Sequence, residues 1–291
     1  MSQIRYRLAP TPSGFLHKGN AFNFLLNWLH ARRAGAKVLL RIDDLDAARC
    51  RDAYLHDVFE GLQWLGLTWD EGPRNVADFK KHWSQTKRLP LYEHQWKRLA
   101  QNGRLFACTC TRKSLREAGY GHVYPSICKD KHLPLHPHLP WRVRVPAGNS
   151  VAVVDESAGM QLINIHEALG DFVIKTREGT PAYQLASLCD DVHFGVTHII
   201  RGQDLLVSTA AQLYLANALQ LVDFQYIKWY HHPLITDATG QKLSKSAGSE
   251  SLQYLRTNGY ARSAILHEFA HWVGNYPVGK LYKPEDLRFL L

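Results

Sequence analysis

The chain has 291 residues, 45% of them hydrophobic, enough for one large domain with an insertion or for two smaller ones. Lys and Arg number 35 against 26 Asp and Glu, and the resulting net charge of +9 suits a polyanionic partner. No apolar run reaches the roughly 18 residues of a membrane span. The start, Met1-Ser2-Gln3-Ile4-Arg5, lacks the apolar core of an export signal. Five cysteines, an odd number, argue against a disulfide framework and for metal binding or plain burial, so the expectation is a cytoplasmic protein.

In chain order, Ile4, Tyr6 and Leu8 alternate as a strand does, and a loop rich in proline and glycine follows, Ala9-Pro10-Thr11-Pro12-Ser13-Gly14. A helix is predicted over residues 20–34, with Phe22, Leu25, Leu26 and Leu29 on one face and Gly35 as its stop. A strand that breaks into such a loop and opens a helix is a ready-made anion site. The first helical N–H groups lack internal partners, and the helix dipole adds positive charge. An ordinary strand–turn–helix corner has the same spacing. Residues 37–42 read as a buried parallel strand, completing a βαβ unit. Asp43, Asp44 and Asp46 follow at the strand end, where open α/β sheets bind ligands. Asp46 or Asp52 could instead cap the next helix, predicted over residues 52–65. Another helix is expected over residues 91–101.

Cys108, Cys110 and Cys128 then supply three of the four ligands of a tetrahedral zinc site, or are three buried or free thiols. Residues 133–140, with three prolines and two histidines, read as a rigid loop. Residues 141–145 and 171–175 alternate like strands, and Pro181 opens a helix. A strand over residues 196–201 ends in Arg201, placed to meet a carboxylate or to pair with Asp190, Asp191 or Asp204. A helix over 209–220 and a strand over 226–230 lead to a glycine-preceded loop bearing Lys242 and Lys245. Two helices, over residues 249–258 and 262–273, close the chain.

Several of these stretches resemble known signatures. His17-Lys18-Gly19-Asn20 resembles the HIGH motif of class I aminoacyl-tRNA synthetases, and Ala9 to Gly14 resembles the APSPTG loop before it in the glutamyl-tRNA synthetase branch. Lys242-Leu243-Ser244-Lys245-Ser246 resembles the second class I motif, KMSKS. Arg41 to Asp46 is similar to the family's RIEDTD, with Asp43 one methylene shorter than the family glutamate. Trp64 to Pro73 and Val196 to Leu206 resemble its "WLGLxWDEGP" and "GVTHVIRGxDLL" segments; the tryptophans of the former read as packing. Only 45 residues follow Ser246, which leaves no room for an anticodon-binding region and points to a short paralogue within the family.

The resemblance implies an α/β fold, a Rossmann-type doubly wound parallel sheet with a zinc-bearing insertion and a short helical tail. Its divisions would be residues 1–107 and 181–247 for the two halves of the catalytic domain, 108–180 for the insertion and 248–291 for the tail. It implies adenylate formation, with ATP and its magnesium bound by His17, Gly19, Asn20, Lys242 and Lys245, and with His17, Lys242 and Lys245 stabilising the transition state. Arg7, Leu8, Ala9, Pro10, Thr11, Asp43, Tyr183 and Arg201 would line a glutamate pocket. Arg7 and Tyr183 would meet the side-chain carboxylate, Arg201 the α-carboxylate and Asp43 the amino group. In the short paralogue a tyrosine four residues before the last cysteine completes the metal site, which implies one structural zinc on Cys108, Cys110, Tyr124 and Cys128. His122 and His132 are rival fourth ligands. The implied acceptor is the queuosine base in the anticodon arm of tRNA(Asp), the implied enzyme a monomer. The alternatives are transfer to a tRNA 3′ end, a small-molecule adenylating ligase that uses no RNA, and an inactive RNA-binding relative.

Overall fold

The computed structural model describes residues 3–121, 123–235, 251–274, 281 and 283–290. The chain divides into two compact units: Met1–Lys87, Val196–Gln203 and His232–Leu291 in the first, Arg88–Gly195 and Asp204–His231 in the second.

The first unit opens with β1 (Arg5–Leu8), α1 (Lys18–Arg33) and β2 (Lys37–Leu40). β1 and β2 pair in parallel, with Arg7 opposite Leu39. The predicted helix thus starts two residues earlier than its apolar face suggests, at the signature stretch itself. It ends at Gly35, whose φ of +60° turns the chain at no steric cost. Phe22, Leu25, Leu26 and Leu29 are all buried, and so are Phe24 and Trp28. Each such side chain contributes about 1.5–3 kcal/mol when removed from water. α2 (Asp52–Leu65) follows; its N-cap residue is Arg51, not Asp46 or Asp52. Asp46 pairs instead with Arg49. The tryptophan-bearing segment after α2 folds back on β2: the Leu40 N–H donates to the Glu71 carbonyl at 2.9 Å. Gly72 next to it has φ +112°, and a Cβ there would sit 2.3 Å from the Leu40 carbonyl oxygen, so only glycine fits. Trp69 donates to the Pro73 carbonyl at 2.9 Å and packs on Phe59, a structural role as expected.

The second unit carries α3 (Leu89–Gln101), β3 (Leu105–Ala107), α4 (Arg112–Glu117), β4 (Trp141–Val143), β5 (Ser150–Asp155), β6 (Gly159–Asn164), β7 (Val173–Lys175) and α5 (Tyr183–His193). The chain then gives β8 (His198–Gly202) to the first unit, α6 (Leu206–Ala218) and β9 (Lys228–His232) to the second, and α7 (Leu252–Thr257) and α8 (Arg262–Trp272) to the first. β3, β4 and β7 form an antiparallel sheet. β5 and β6 form an antiparallel hairpin, and β5 meets β9 in parallel at Asp155 and Trp229. A buried network ties α3 to α5: Arg88 grips Asp190 bidentately at 2.7 and 2.9 Å, and the Tyr92 hydroxyl donates to the same carboxylate at 2.7 Å. Asp190 is therefore engaged by Arg88, which bears on the ion pair weighed above for Arg201.

Candidate functional site

Three strand ends of the first unit bring charged groups inward. The Arg41 N–H donates to the Leu8 carbonyl and the Asp43 N–H to the Pro10 carbonyl, each at 2.9 Å, so the chain beyond β2 stays laced to the chain beyond β1. β8 lies on β1 as well, with the Thr197 N–H donating to the Arg5 carbonyl at 3.0 Å. Arg7 near the end of β1 and Arg201 near the end of β8 are 5% and 3% exposed. Leu8 and Pro10 are buried and Thr11 is exposed. Buried guanidinium groups at strand ends suit a carboxylate, whose two oxygens match their planar fork. Tyr183 stands in the other unit as the first residue of α5 and is 42% exposed.

Asp43 is buried, and its partner was not foreseen. Arg41 Nε reaches Oδ1 at 2.7 Å and Nη2 reaches Oδ2 at 2.9 Å. An ionised carboxylate is an acceptor-only group, chemically suited to an ammonium as well as to a guanidinium. The pairing offsets part of the cost of burying either charge alone. The sequence signal was the Arg-x-Asp spacing just beyond the end of β2.

His17 occupies the N-cap of α1, with extended backbone, and the first turn behind it contains Gly19 and Asn20 and no acidic residue. The His17 N–H donates to Asn20 Oδ1 at 3.1 Å, which fixes the entry to the helix. With no carboxylate in that turn, the positive end of the helix remains available to an anion. Lys18 is turned away, paired with Glu268 of α8 at 2.8 Å. Lys242 and Lys245 lie outside the described residues.

In the second unit Cys108, Cys110 and Cys128 converge, their sulfur atoms all within 4.8 Å of one another. The Tyr124 hydroxyl lies 3.4 Å from Cys108 Sγ and 3.9 Å from Cys110 Sγ, and Cys110 and Cys128 are 3.6 Å apart. Four ligands around a tetrahedral zinc would stand about 3.5–3.8 Å apart, given the usual bond lengths, so the set fits that ion. Burial works against the Cys128 thiolate, but hydrogen bonds from Thr109, Tyr124 and Cys110 outweigh it and bring the thiol down to about 6. Burial and the Cys128 hydrogen bond push Cys110 up to about 11. The Arg142 guanidinium lies 3.6 Å from the centre of the Tyr124 ring, a cation–π contact, while burial and the hydrogen bonds with Cys108 and Cys128 push the phenol pKa well up in the metal-free chain. His132 is exposed, and among the described residues no histidine joins the cluster. His122 lies outside the described residues. Cys50 and Cys189 take no part.

Comparison with known proteins places the chain in a family. Residues 3–277 match the catalytic domain of the class I tRNA synthetases (E and Q). The chain is 38% identical to the glutamyl-Q tRNA(Asp) synthetase of Nitratidesulfovibrio vulgaris, over 99% of this chain and 92% of that protein. It is 41% identical to the protein of the same name from Cupriavidus metallidurans, over 92% and 85% of the two chains. It is 36% identical to a glutamate–tRNA ligase from Anaeromyxobacter, of which it spans 61%. Among solved structures, a glutamate tRNA ligase from Elizabethkingia meningosepticum superposes with a TM-score of 0.76 at 22% identity, over 99% of this chain and 69% of that one. That likeness establishes a shared fold, α/β with a parallel sheet.

Proposed function

The chain belongs to the class I tRNA synthetases of the glutamate and glutamine branch, and from that premise we propose that it activates L-glutamate with ATP and transfers it to the queuosine base of tRNA(Asp). The observation that carries this reading is the near full-length likeness to glutamyl-Q tRNA(Asp) synthetases, joined to the buried guanidinium groups at the strand ends.

In the first step the glutamate α-carboxylate attacks the α-phosphate of ATP, a P–O bond forms, and pyrophosphate leaves. No covalent enzyme intermediate is needed. Arg201 takes the α-carboxylate, Arg7 and Tyr183 the side-chain carboxylate, and Asp43 the amino group. His17 and the N-terminus of α1 receive charge that builds on the phosphates, with Lys242 and Lys245 as further cations. Magnesium accompanies the nucleotide. In the second step a hydroxyl of the queuosine base attacks the glutamyl carbonyl, an ester forms and AMP leaves.

Cys108, Cys110, Tyr124 and Cys128 hold one zinc ion, which supplies a cross-link and no chemistry, since four protein ligands leave no open position. The enzyme works in the cytoplasm as a monomer and takes the anticodon arm rather than the acceptor end of the tRNA. A splayed loop base is the kind of target that RNA readers draw into a pocket.

The test begins with ATP–pyrophosphate exchange for each of the twenty amino acids, where glutamate alone should support exchange. Bulk tRNA is then charged with labelled glutamate, cut with a nuclease and the label located. Label on an anticodon-loop fragment, absent from tRNA lacking queuosine, is the expected result. Label on the terminal adenosine would make the protein a free-standing charging enzyme, and no labelled RNA would make it a small-molecule ligase.

A further inference from the structure

The residue before His17 is held by both of its backbone groups. The Leu16 N–H donates to Asp57 Oδ2 at 2.7 Å, and the Leu16 carbonyl accepts the N–H of Leu252, also at 2.7 Å. Asp57 lies on α2 and Leu252 opens α7. These two elements are themselves joined. Arg256, one turn along α7, donates from Nη1 to the other oxygen of Asp57 at 3.0 Å and from Nη2 to Glu60 at 2.7 Å. Ser251 caps α7 by accepting the Tyr254 N–H, and its backbone forms a bridge with that of His17. The Leu16 side chain fills the space over Gly61, where a Cβ would come within 3.1 Å of it and 3.6 Å of Arg256 Nη1.

A carboxylate that is 2% exposed is costly to place in a fold, and burial pushes its pKa up against the pull of the Leu16 amide and Arg256. A plain strand–turn–helix corner can satisfy one N–H with a neighbouring carbonyl or with water. Here the acceptor is a buried charge with its own guanidinium behind it. That choice restricts the direction of one peptide far more tightly than a neutral acceptor would. That peptide, Phe15–Leu16, is the one before the Leu16–His17 peptide, whose carbonyl the Leu252 N–H holds in turn.

We infer that Asp57, backed by Arg256, is a positioning residue for His17: it fixes the Leu16 peptide so that the imidazole and the first turn of α1 stand where phosphate charge develops. The inference rests on the adenylation reading above. It gives the start of α7, which follows directly on the segment bearing Lys242 and Lys245, the same anchor as the histidine signature.

The test uses the full chain with Asp57→Asn and Arg256→Gln, each alone and combined with His17→Ala. Hydrogen exchange at the Leu16 amide reports the clamp, and ATP–pyrophosphate exchange with glutamate reports its use. Asp57→Asn should expose the Leu16 amide and lower kcat about tenfold or more, with KM for ATP and glutamate changed less than about threefold, because the lost contact belongs to the transition state. In the His17→Ala background the same substitution should cost less than about twofold, since its target is gone. A purely structural role would give the same loss in both backgrounds, and that outcome overturns the inference. So does full kcat alongside an exposed Leu16 amide. Should Asp57→Asn not fold, Arg256→Gln keeps the carboxylate and carries the same cycle with a smaller loss. A wild-type protein inactive in exchange with every amino acid defeats the adenylation reading and this inference with it, whereas an active one with additive losses defeats the clamp alone.

Discussion

One missing methylene sets the chemistry around Asp43. The family motif carries glutamate at this position, and the shorter side chain is held back by the Arg41 fork at 2.7 and 2.9 Å. Asp43→Asn retains shape and one acceptor oxygen but removes the charge that a substrate ammonium would meet. KM for glutamate in ATP–pyrophosphate exchange should then rise about tenfold or more, with KM for ATP nearly constant, because a hydrogen bond to a charged group is worth about 1.5–3 kcal/mol. Equal KM values for glutamate in both proteins would remove Asp43 from the pocket. Asp43→Ala is a poorer test, since it also breaks the buried fork with Arg41, and breaking a buried ion pair costs about 3–5 kcal/mol of stability by itself. Asp43→Glu restores the family side chain and should keep or improve the use of glutamate.

At the scale of elements, the strands and helices with clean apolar periodicity were legible and their ends were less so. α2 is found at the bounds its pattern predicts, Asp52–Leu65, because Leu55, Val58, Leu62 and Leu65 are buried and Gly66 stops it in the left-handed conformation. The β5–β6 hairpin was not legible. Val154, Met160 and Leu162 point outward and are 63%, 76% and 70% exposed, so hydrophobic alternation gave no sign of which face is covered. What holds its turn, beyond the β5–β6 ladder, is one carboxylate, invisible in any periodicity. Asp155 Oδ1 accepts the Ser157 N–H at 2.9 Å, the Ser157 hydroxyl at 2.6 Å and the Ala158 N–H at 2.9 Å. Its Oδ2 takes the His231 N–H at 2.8 Å and His231 Nδ1 at 2.6 Å, which fastens β9. Burial raises its pKa, but these donors outweigh burial and hold the carboxyl below the ordinary carboxylate value. A depressed folded-state pKa means that its stabilisation is complete above the unfolded value and is lost as pH falls through the folded one. Asp155→Ala should cost about 3–5 kcal/mol at neutral pH, read by denaturant unfolding, with the gap from wild type closing in acid. A gap that stays constant down to strongly acid pH would assign the loss to packing.

The metal-binding segment makes a second prediction at this scale. Elemental analysis of protein purified without chelator should find one zinc per chain, and Cys128→Ser should lose it. Tyr124→Phe removes only the phenol oxygen and should weaken retention against a chelator, while a variant that holds zinc like wild type would move the fourth ligand to a histidine or water. Three of these ligands were legible as cysteines, but the tyrosine was legible only through a family resemblance. A phenol ligand has no spacing rule of its own, and it is the fold that brings its oxygen to 3.4 Å from Cys108 Sγ.

For the whole molecule, charge is the property that sequence reports and structure distributes. The net charge of +9 said only that a polyanion was a fitting partner. In the second unit exposed cations flank the cysteines along the chain, Arg104, Arg112, Lys113, Arg116 and Lys131, against the acidic Glu117 and Asp130. None of them is needed to fold α4, whose capping rests on Thr111 and Ser114. Lys113 is the one with a carboxylate nearby on the helix, Glu117 at 3.8 Å, an exposed pair of small energetic weight. Cations exposed to solvent bind phosphates by releasing counterions, so affinity falls steeply as salt rises. For about three or four phosphate contacts, raising salt from roughly 50 to 200 mM should increase KM for tRNA about 10- to 100-fold. KM for glutamate should hardly move, because the guanidinium groups proposed to meet it are buried and weakly screened. Reversing two of the exposed charges, Arg112→Glu with Arg116→Glu, should raise KM for tRNA and flatten its salt dependence while leaving ATP–pyrophosphate exchange intact. Unchanged tRNA kinetics in that variant would mean that the RNA is gripped elsewhere, and a parallel loss of exchange would mean that the substitutions had damaged the fold rather than the RNA surface.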